Sequence, residues 1–301
     1  MNLSPTFTDT IQAVHGETGA AWLAQLPTQI EALSKRWNFR FIQPIVDLSY
    51  SFVGIVELNT AVTAILKLIP DHTRMLTELH SLQCFSKGVP KIYAFDEENN
   101  MLLLEHIKPG DPLKTLVQVE QDETATRIIC QAILTLQSEQ KILYPFPHLS
   151  ELIKDLAALK GHTDSYLLSK AESLFHDLTF DRSQDVLLHG DLHHDNLIKN
   201  GTSWKAIDPH GYIGDRVAEV GAMIRNPMDC FPQEHSRTKI TERRLEILAE
   251  ELPFDPQRIK AWAFCMTILS AAWNIQDFGH LAKNEIELAS LIDQTKCCNT
   301  R

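Results

Sequence analysis

Asp191, Asn196 and Asp208 are the residues of this sequence best placed to do chemistry. The first two stand in Val186-Leu-Leu-His189-Gly190-Asp191-Leu192-His193-His194-Asp195-Asn196-Leu197-Ile198, the third in Ala206-Ile207-Asp208-Pro209-His210-Gly211. In each stretch an apolar run delivers the chain to a carboxylate followed by turn residues. A hairpin of Leu197-Ile198 against Ala206-Ile207 would bring all three to one mouth. Two carboxylates and an amide are hard oxygen donors, and Mg²⁺ binds one or two carboxylates with substrate phosphates completing its shell. Taken singly, Asp and Asn are turn and cap residues; the chemical reading rests on the combination.

The spacing His-x-Asp-x4-Asn, followed by a later Asp, is that of a kinase catalytic loop with its metal-binding aspartate. On that pattern Asp191 accepts the proton of an attacking hydroxyl, and Asn196 and Asp208 hold Mg²⁺ against nucleotide phosphates. Two departures point away from protein substrates. Gly190 stands where protein kinases carry arginine, and no activation segment ending in Ala-Pro-Glu follows Asp208. His193, His194 and His210 invite a zinc reading, since histidine is a common zinc ligand. Their spacing fits no His-Glu-x-x-His pattern, and the expectation is loop residues.

His189-Gly-Asp-Leu-His-His-Asp-Asn196, Trp204-Lys-Ala-Ile-Asp-Pro-His-Gly211, Gly214-Asp-Arg216, Glu219-Val-Gly-Ala222 and Arg225-Asn-Pro227 follow one another in a specific order. This pattern resembles the aminoglycoside phosphotransferase family, and within it the streptomycin 6-kinase and hydroxyurea-resistance kinase branch. The resemblance implies an α+β, bilobal protein-kinase-like fold, with a β-rich N-lobe and a mainly helical C-lobe. It also implies ATP-dependent transfer, with Mg²⁺, to a small-molecule hydroxyl. The implied acceptor is a cationic aminoglycoside of the streptomycin type. A kinase of the same fold acting on an amino alcohol or a sugar is the alternative. A non-catalytic nucleotide-binding module is the further one.

Such a fold needs a strand lysine for the α- and β-phosphates and a helix glutamate to hold it. Lys67 is the only Lys or Arg from 41 to 73, and Glu78 follows in the next amphipathic stretch. Glu105, His106 and Ile107 end the last β-run, where the resemblance puts the adenine hinge, with Glu105 and Ile107 as backbone contacts. Pro109-Gly110-Asp111 comes next. Ser49-Tyr-Ser-Phe-Val-Gly54 is a degenerate phosphate loop with one glycine, and neither a Gly-x-Gly-x-x-Gly nor a Walker motif occurs. That excludes dinucleotide-binding and P-loop enzymes.

The elements fit two lobes. Helical patterning marks 28–38, where Thr28 and Glu31 have capping-box spacing, and 72–86. Runs at 41–48, 52–58, 61–69, 91–95 and 101–106 read as strands, with Asn59-Thr60 as a turn. Helices are expected at 122–140, 149–160, 164–178, 237–251, 256–276 and 281–295. The lobes divide at 1–107 and 108–301, a β-rich third followed by a helical remainder.

Several further residues carry expectations. Glu219 should support the catalytic-loop backbone, and Asp215 with Arg216 an ion pair or cap. Arg225 has either a substrate or a structural place. Trp262, Phe264 and Trp273 read as helix core. Asp277 and Glu285 are candidate contacts for a cationic substrate, with solvated surface charge as the commoner use.

Composition narrows the partners. The 301 residues carry 28 Lys+Arg against 39 Asp+Glu, a net charge of −11. That argues against nucleic acid, which needs basic surface, and leaves a cationic small molecule open. The N-terminus lacks a signal-peptide pattern, and the apolar run 261–273 is too short to span a bilayer. The six cysteines, two of them the adjacent Cys297 and Cys298, form no disulfide framework. The expectation is a cytoplasmic protein with reduced thiols. Oligomeric state is not legible.

Overall fold

The computed structural model describes residues 3–46, 48–59, 62–227, 230 and 234–295. Thr60 of the expected turn, and Cys297 and Cys298, lie outside the described residues. The chain divides into two compact units: residues up to Gln83 with Pro90–Ile107, and Cys84–Val89 with Lys108 onward.

The first unit is an antiparallel sheet flanked by two helices. Its strands are β1 (Phe39–Pro44), β2 (Phe52–Leu58), β3 (Thr63–Leu68), β4 (Ile92–Asp96) and β5 (Met101–Glu105). They lie in the order β1-β2-β3-β5-β4. The first strand stops at Pro44, short of the expected Leu48, although Ile45 N still donates to Val53 O at 2.9 Å just beyond it. Side chains alternate across a strand. Ala64, Leu66 and Leu68 of β3 enter one core cluster with Phe52, Val56, Met101 and Leu103, so Lys67 between them projects from the opposite face.

Helix α1 spans Pro5–Trp37 and supplies Phe7, Ile11, Leu26, Ile30 and Leu33 to the same cluster. It is longer than the expected 28–38. Ser4 caps it, accepting from Phe7 N with Pro5 in the first turn, and that is the start signal the apolar periodicity hid. Gly16, at φ +56°, breaks the helical backbone and with it the periodicity. Pro27 lies within the helix, so Thr28 and Glu31 are interior residues and not a capping box. Helix α2 (His72–Cys84) follows β3.

The second unit carries β6 (Pro109–Pro112), α3 (Lys114–Gln118), α4 (Asp122–Leu136) and α5 (Ser165–Phe180). Then come β7 (Asp185–Leu188), β8 (Leu197–Asn200), β9 (Ser203–Ala206), β10 (Tyr212–Asp215) and α6 (Gly221–Arg225). The chain ends in α7 (Glu234–Glu251), α8 (Pro256–Phe278) and α9 (Lys283–Gln294). The stretch Leu149–Leu159 is a 3₁₀ helix where an α-helix was expected, opened by a capping box of His148 and Glu151.

Two small antiparallel sheets, β10-β7 and β6-β8-β9, frame the loops between them. β8 and β9 form the expected hairpin, with Leu197 opposite Ala206. Helix α8 is buried continuously from Trp262 to Ala272, and Trp262 and Phe264 are core as expected. Trp273 is half-buried and donates its indole N–H to Asp155 Oδ2. No helix among the described residues is long and apolar enough to cross a membrane.

Candidate active site

In the first unit Lys67 Nζ donates to Glu78 Oε1 and Oε2, both at 2.8 Å. The two side chains are 3% and 1% exposed, so the charges are held out of water and depend on one another. Glu105 and Ile107 stand at and just beyond the end of β5. Glu105 Oε2 accepts from Lys91 N at 3.0 Å. That carboxylate fastens the sheet edge, and backbone groups are what this segment can offer a ligand.

In the second unit the loop from β7 to β8 is fixed from below by one residue. Glu219 follows β10 in a 3₁₀ helix, Arg216–Val220, and is buried. Its Oε2 accepts from His189 N at 2.7 Å and its Oε1 from Gly190 N at 3.0 Å. Burial pushes the carboxyl up to about 7, while the two backbone N–H groups pull the other way. Asp215 accepts from Val217 N as a cap. Its ion-pair partner is Arg258, not the neighbouring Arg216 as expected, and Trp262 Nε1 donates to the same oxygen. Arg216 turns instead to Gln137 and the Phe254 ring.

His189 ties the loop to the strand end that carries Asp208. Its Nε2 bonds the Ile207 carbonyl at 2.8 Å, and its Nδ1 accepts from Asp191 N. Burial lowers the imidazole to about 4, so it is neutral at physiological pH with the proton on Nε2. Gly190 sits at φ +81°, and a Cβ there would lie 2.9 Å from the Tyr212 ring. A residue with a side chain is strained in that conformation, which gives a physical reason for glycine where protein kinases carry arginine.

Asp191 is the centre of the cluster. Asn196 Nδ2 donates to its Oδ2 at 3.1 Å and to its carbonyl at 2.9 Å. His193 Nε2 lies 3.4 Å and His210 Nε2 3.8 Å from Oδ2, and Arg225 Nη2 donates to Oδ1 at 3.2 Å. Burial alone would raise the carboxyl; His193, His210 and Arg225 outweigh it and hold Asp191 far below the usual carboxylate range. The aspartate is therefore ionised throughout the physiological range.

Asp208 is brought to Asn196 by the backbone, since Ile207 N donates to Asn196 O at 2.9 Å. It adopts φ +62°, an uncommon conformation that, for a non-glycine residue, clusters at functional sites. Because the Asn196 amide nitrogen is committed to Asp191, its Oδ1 is the atom left for another partner. Asn196 Oδ1 and the Asp208 carboxylate are two hard donors, which suits Mg²⁺ completed by phosphate oxygens. Among the described residues no group of three or more His, Cys, Asp or Glu could hold a metal ion. His193 and His210 belong to the surroundings of Asp191, whereas His194 is buried apart from it.

The structure brings together Asp191, Asn196 and Asp208 in one unit, and Lys67 with Glu78 in the other. Sequence reasoning did not place His193, His210 or Arg225 on Asp191. No spacing rule marks them, and Arg225 is 34 residues away in the chain. Glu285, a candidate surface contact, is in fact 5% exposed and accepts from Ser270 Oγ at 2.5 Å.

Comparison with known proteins gives the cluster a context. The family model described as Aminoglycoside/hydroxyurea antibiotic resistance kinase matches residues 36–278. A Streptomycin 6-kinase from Streptomyces glaucescens is 27% identical over 276 residues, covering 87% of each chain. A Streptomycin 3''-kinase from Klebsiella pneumoniae is 31% identical over 195 residues, 64% of this chain and 72% of the other. Among solved structures, choline kinase LicA from Streptococcus pneumoniae superposes with a TM-score of 0.64 at 14% identity, over 90% of this chain and 98% of the other. That last likeness is one of fold, and the fold is kinase-like.

Proposed function

This chain belongs to the aminoglycoside/hydroxyurea antibiotic resistance kinase family, and we propose that it transfers the γ-phosphoryl group of ATP to a hydroxyl of a streptomycin-type aminoglycoside. The observation that carries the reading is the geometry around Asp191: an ionised carboxylate gripped by Asn196, with Asp208 tied in through the adjacent backbone. The named activities of the curated relatives supply the acceptor class.

In this reading the acceptor hydroxyl bonds to the Asp191 carboxylate, which orients its oxygen toward the γ-phosphorus. The new O–P bond forms as the bond to the ADP oxygen breaks, and the hydroxyl proton passes to Asp191. A carboxylate held far below its usual range is a weak base, so proton transfer comes late and alignment does most of the catalysis. Asn196 Oδ1 and Asp208 would hold Mg²⁺, which when bound neutralises charge on the phosphates. Lys67, held by Glu78, is assigned to the α- and β-phosphates, and the backbone of Glu105 to Ile107 to the adenine. The acidic balance of the chain, −11 overall, favours a polycationic acceptor. The cytoplasm, which supplies ATP and keeps thiols reduced, is the proposed setting.

Release of ADP from Mg²⁺-ATP, measured across a panel of hydroxyl compounds, tests the reading. Streptomycin-dependent release is the expected result. Release only with a choline-like alcohol or a sugar would retain the chemistry and reject the aminoglycoside.

A further inference from the structure

Arg225 and Glu285 each keep one enclosed polar atom that no described residue satisfies. Arg225 Nη2 donates to Asp191 Oδ1, but its Nε has no partner. Glu285 Oε1 accepts from Ser270 Oγ, but its Oε2 has no partner. The two opposite charges form no direct ion pair, yet each lies in the other's field. Burial pushes the Glu285 carboxyl up, and the Ser270 hydroxyl, Arg225 and Arg237 pull it back. Leaving such groups half-satisfied in the interior is costly. Glu285 also lies beyond residues 36–278, outside the stretch matched by the family model.

We propose that Glu285 is a positioning residue for Asp191, acting through the Arg225 guanidinium; this rests on the reading of Asp191 as the proton acceptor. Asp191, Arg225 and Glu285 make an alternating row of charges from the catalytic loop through α6 to α9. Ser270 on α8 fixes the outer carboxylate. The pull of Glu285 on the guanidinium opposes that of Asp191, and so sets how far Arg225 leans on Oδ1 and with it the rotation of the Asp191 carboxyl between Arg225 on Oδ1 and Asn196 on Oδ2. Because Oε2 is enclosed, Glu285 works at one remove from the acceptor.

E285Q preserves shape and the Ser270 bond while removing the charge. With streptomycin as acceptor, kcat should fall about tenfold or more, the scale of a small misplacement at a reacting centre, while KM for streptomycin and for ATP stays unchanged. On an R225K background the same substitution should cost nothing further, because the path is already cut. A raised streptomycin KM at constant kcat, or a full additional loss on the R225K background, would overturn the proposal. S270A, which frees Glu285 without discharging it, should lower kcat less and serves if E285Q folds poorly. Crystal structures of the wild-type and E285Q proteins decide the point without any acceptor. A shifted Arg225 and a rotated Asp191 are expected, and unchanged positions of both would contradict the proposal. Absence of turnover by the wild type with streptomycin would count against the proposed function, and the structural comparison would still decide the role of Glu285.

Discussion

Lys67 Nζ lies 2.8 Å from both carboxylate oxygens of Glu78, eleven residues further along the chain, and neither side chain meets water. A buried pair of this kind is weak evidence for stability and stronger evidence for a task. K67A should destabilise the protein by about 3–5 kcal/mol, because it strands a buried carboxylate. Replacing both residues with apolar ones of similar volume, K67M with E78L, should recover most of that stability and no turnover. Urea unfolding alongside the ADP-release assay separates the two effects.

Gly190 should not tolerate a side chain. G190A places a methyl 2.9 Å from the Tyr212 ring on a backbone at φ +81°, and the left-handed conformation alone costs about 1–2 kcal/mol. Since Gly190 N is also bonded to Glu219, relief of the clash must move Asp191. The expected outcome is a fall in kcat larger than the loss of stability accounts for. A variant with normal kcat would show that the loop absorbs the strain elsewhere.

Glu219 and His189 give the fold opposed pH dependences. The Glu219 carboxyl is raised by burial from 4.5 to about 7 in the folded protein. The folded chain thus binds more protons than the unfolded one between those values, and this contribution to stability is lost as pH rises across them. His189 is lowered by burial from 6.5 to about 4, so its contribution is present above 6.5 and lost as pH falls. Between 4.5 and 6.5 the two slopes largely cancel. E219Q removes the falling slope, so relative to wild type its stability should rise with pH through this window, by about 1.4 kcal/mol per pH unit. Urea midpoints across the window check the sign.

The Mg²⁺ proposed for Asn196 and Asp208 should be replaceable only by hard cations. Chelation should abolish turnover and Mg²⁺ restore it, whereas Zn²⁺, lacking a nitrogen or thiolate cage, should not. N196A removes one oxygen donor and should raise the Mg²⁺ concentration for half-maximal activity by at least about tenfold, one lost interaction's worth of affinity. D208A removes the charged donor and should not be rescued by excess metal. A Mg²⁺ titration of the three proteins distinguishes these outcomes.

Much of the site was legible because it is local. Asp191 and Asn196 stand five residues apart in one loop, so their spacing could be matched to a kinase catalytic loop; the hydrogen bond that joins them is seen only in the structure. Asp208 follows through a hairpin whose apolar ends, Leu197-Ile198 and Ala206-Ile207, lie toward the site and whose turn is polar. The Lys67 and Glu78 pair was legible for another reason: a kinase-like fold needs a strand lysine held by a helix glutamate, and Lys67 is the only Lys or Arg from 41 to 73, with Glu78 in the next amphipathic stretch. Arg225, His193 and His210 were not legible as partners of Asp191. Arg225 and His210 approach only as α6 and the loop after Asp208 fold back, and His193, two residues on, only through the winding of its own loop; no sequence period encodes either.

The fold shows the same division. β3, whose apolar residues alternate with Lys67, announces itself, whereas α1 hides behind Gly16, which interrupts its periodicity, and Pro27, which imitates a boundary. The 3₁₀ helix at Leu149–Leu159 has an α-like apolar pattern, so only backbone hydrogen bonding reveals its tighter winding. Glu285 looked like surface charge, because burial of a carboxylate near the C-terminus depends on α8 and α9 meeting.

The central claim is that Asp191 carries out the transfer while nucleotide is held elsewhere, and D191N tests it most directly. The amide keeps the shape and can still accept from Asn196, but it cannot take the acceptor's proton. Single-turnover transfer from Mg²⁺-ATP to streptomycin should slow by about 10²–10⁴-fold, the range of a lost general base, with the affinity for ATP unchanged. Transfer by D191N at the wild-type rate would contradict the account.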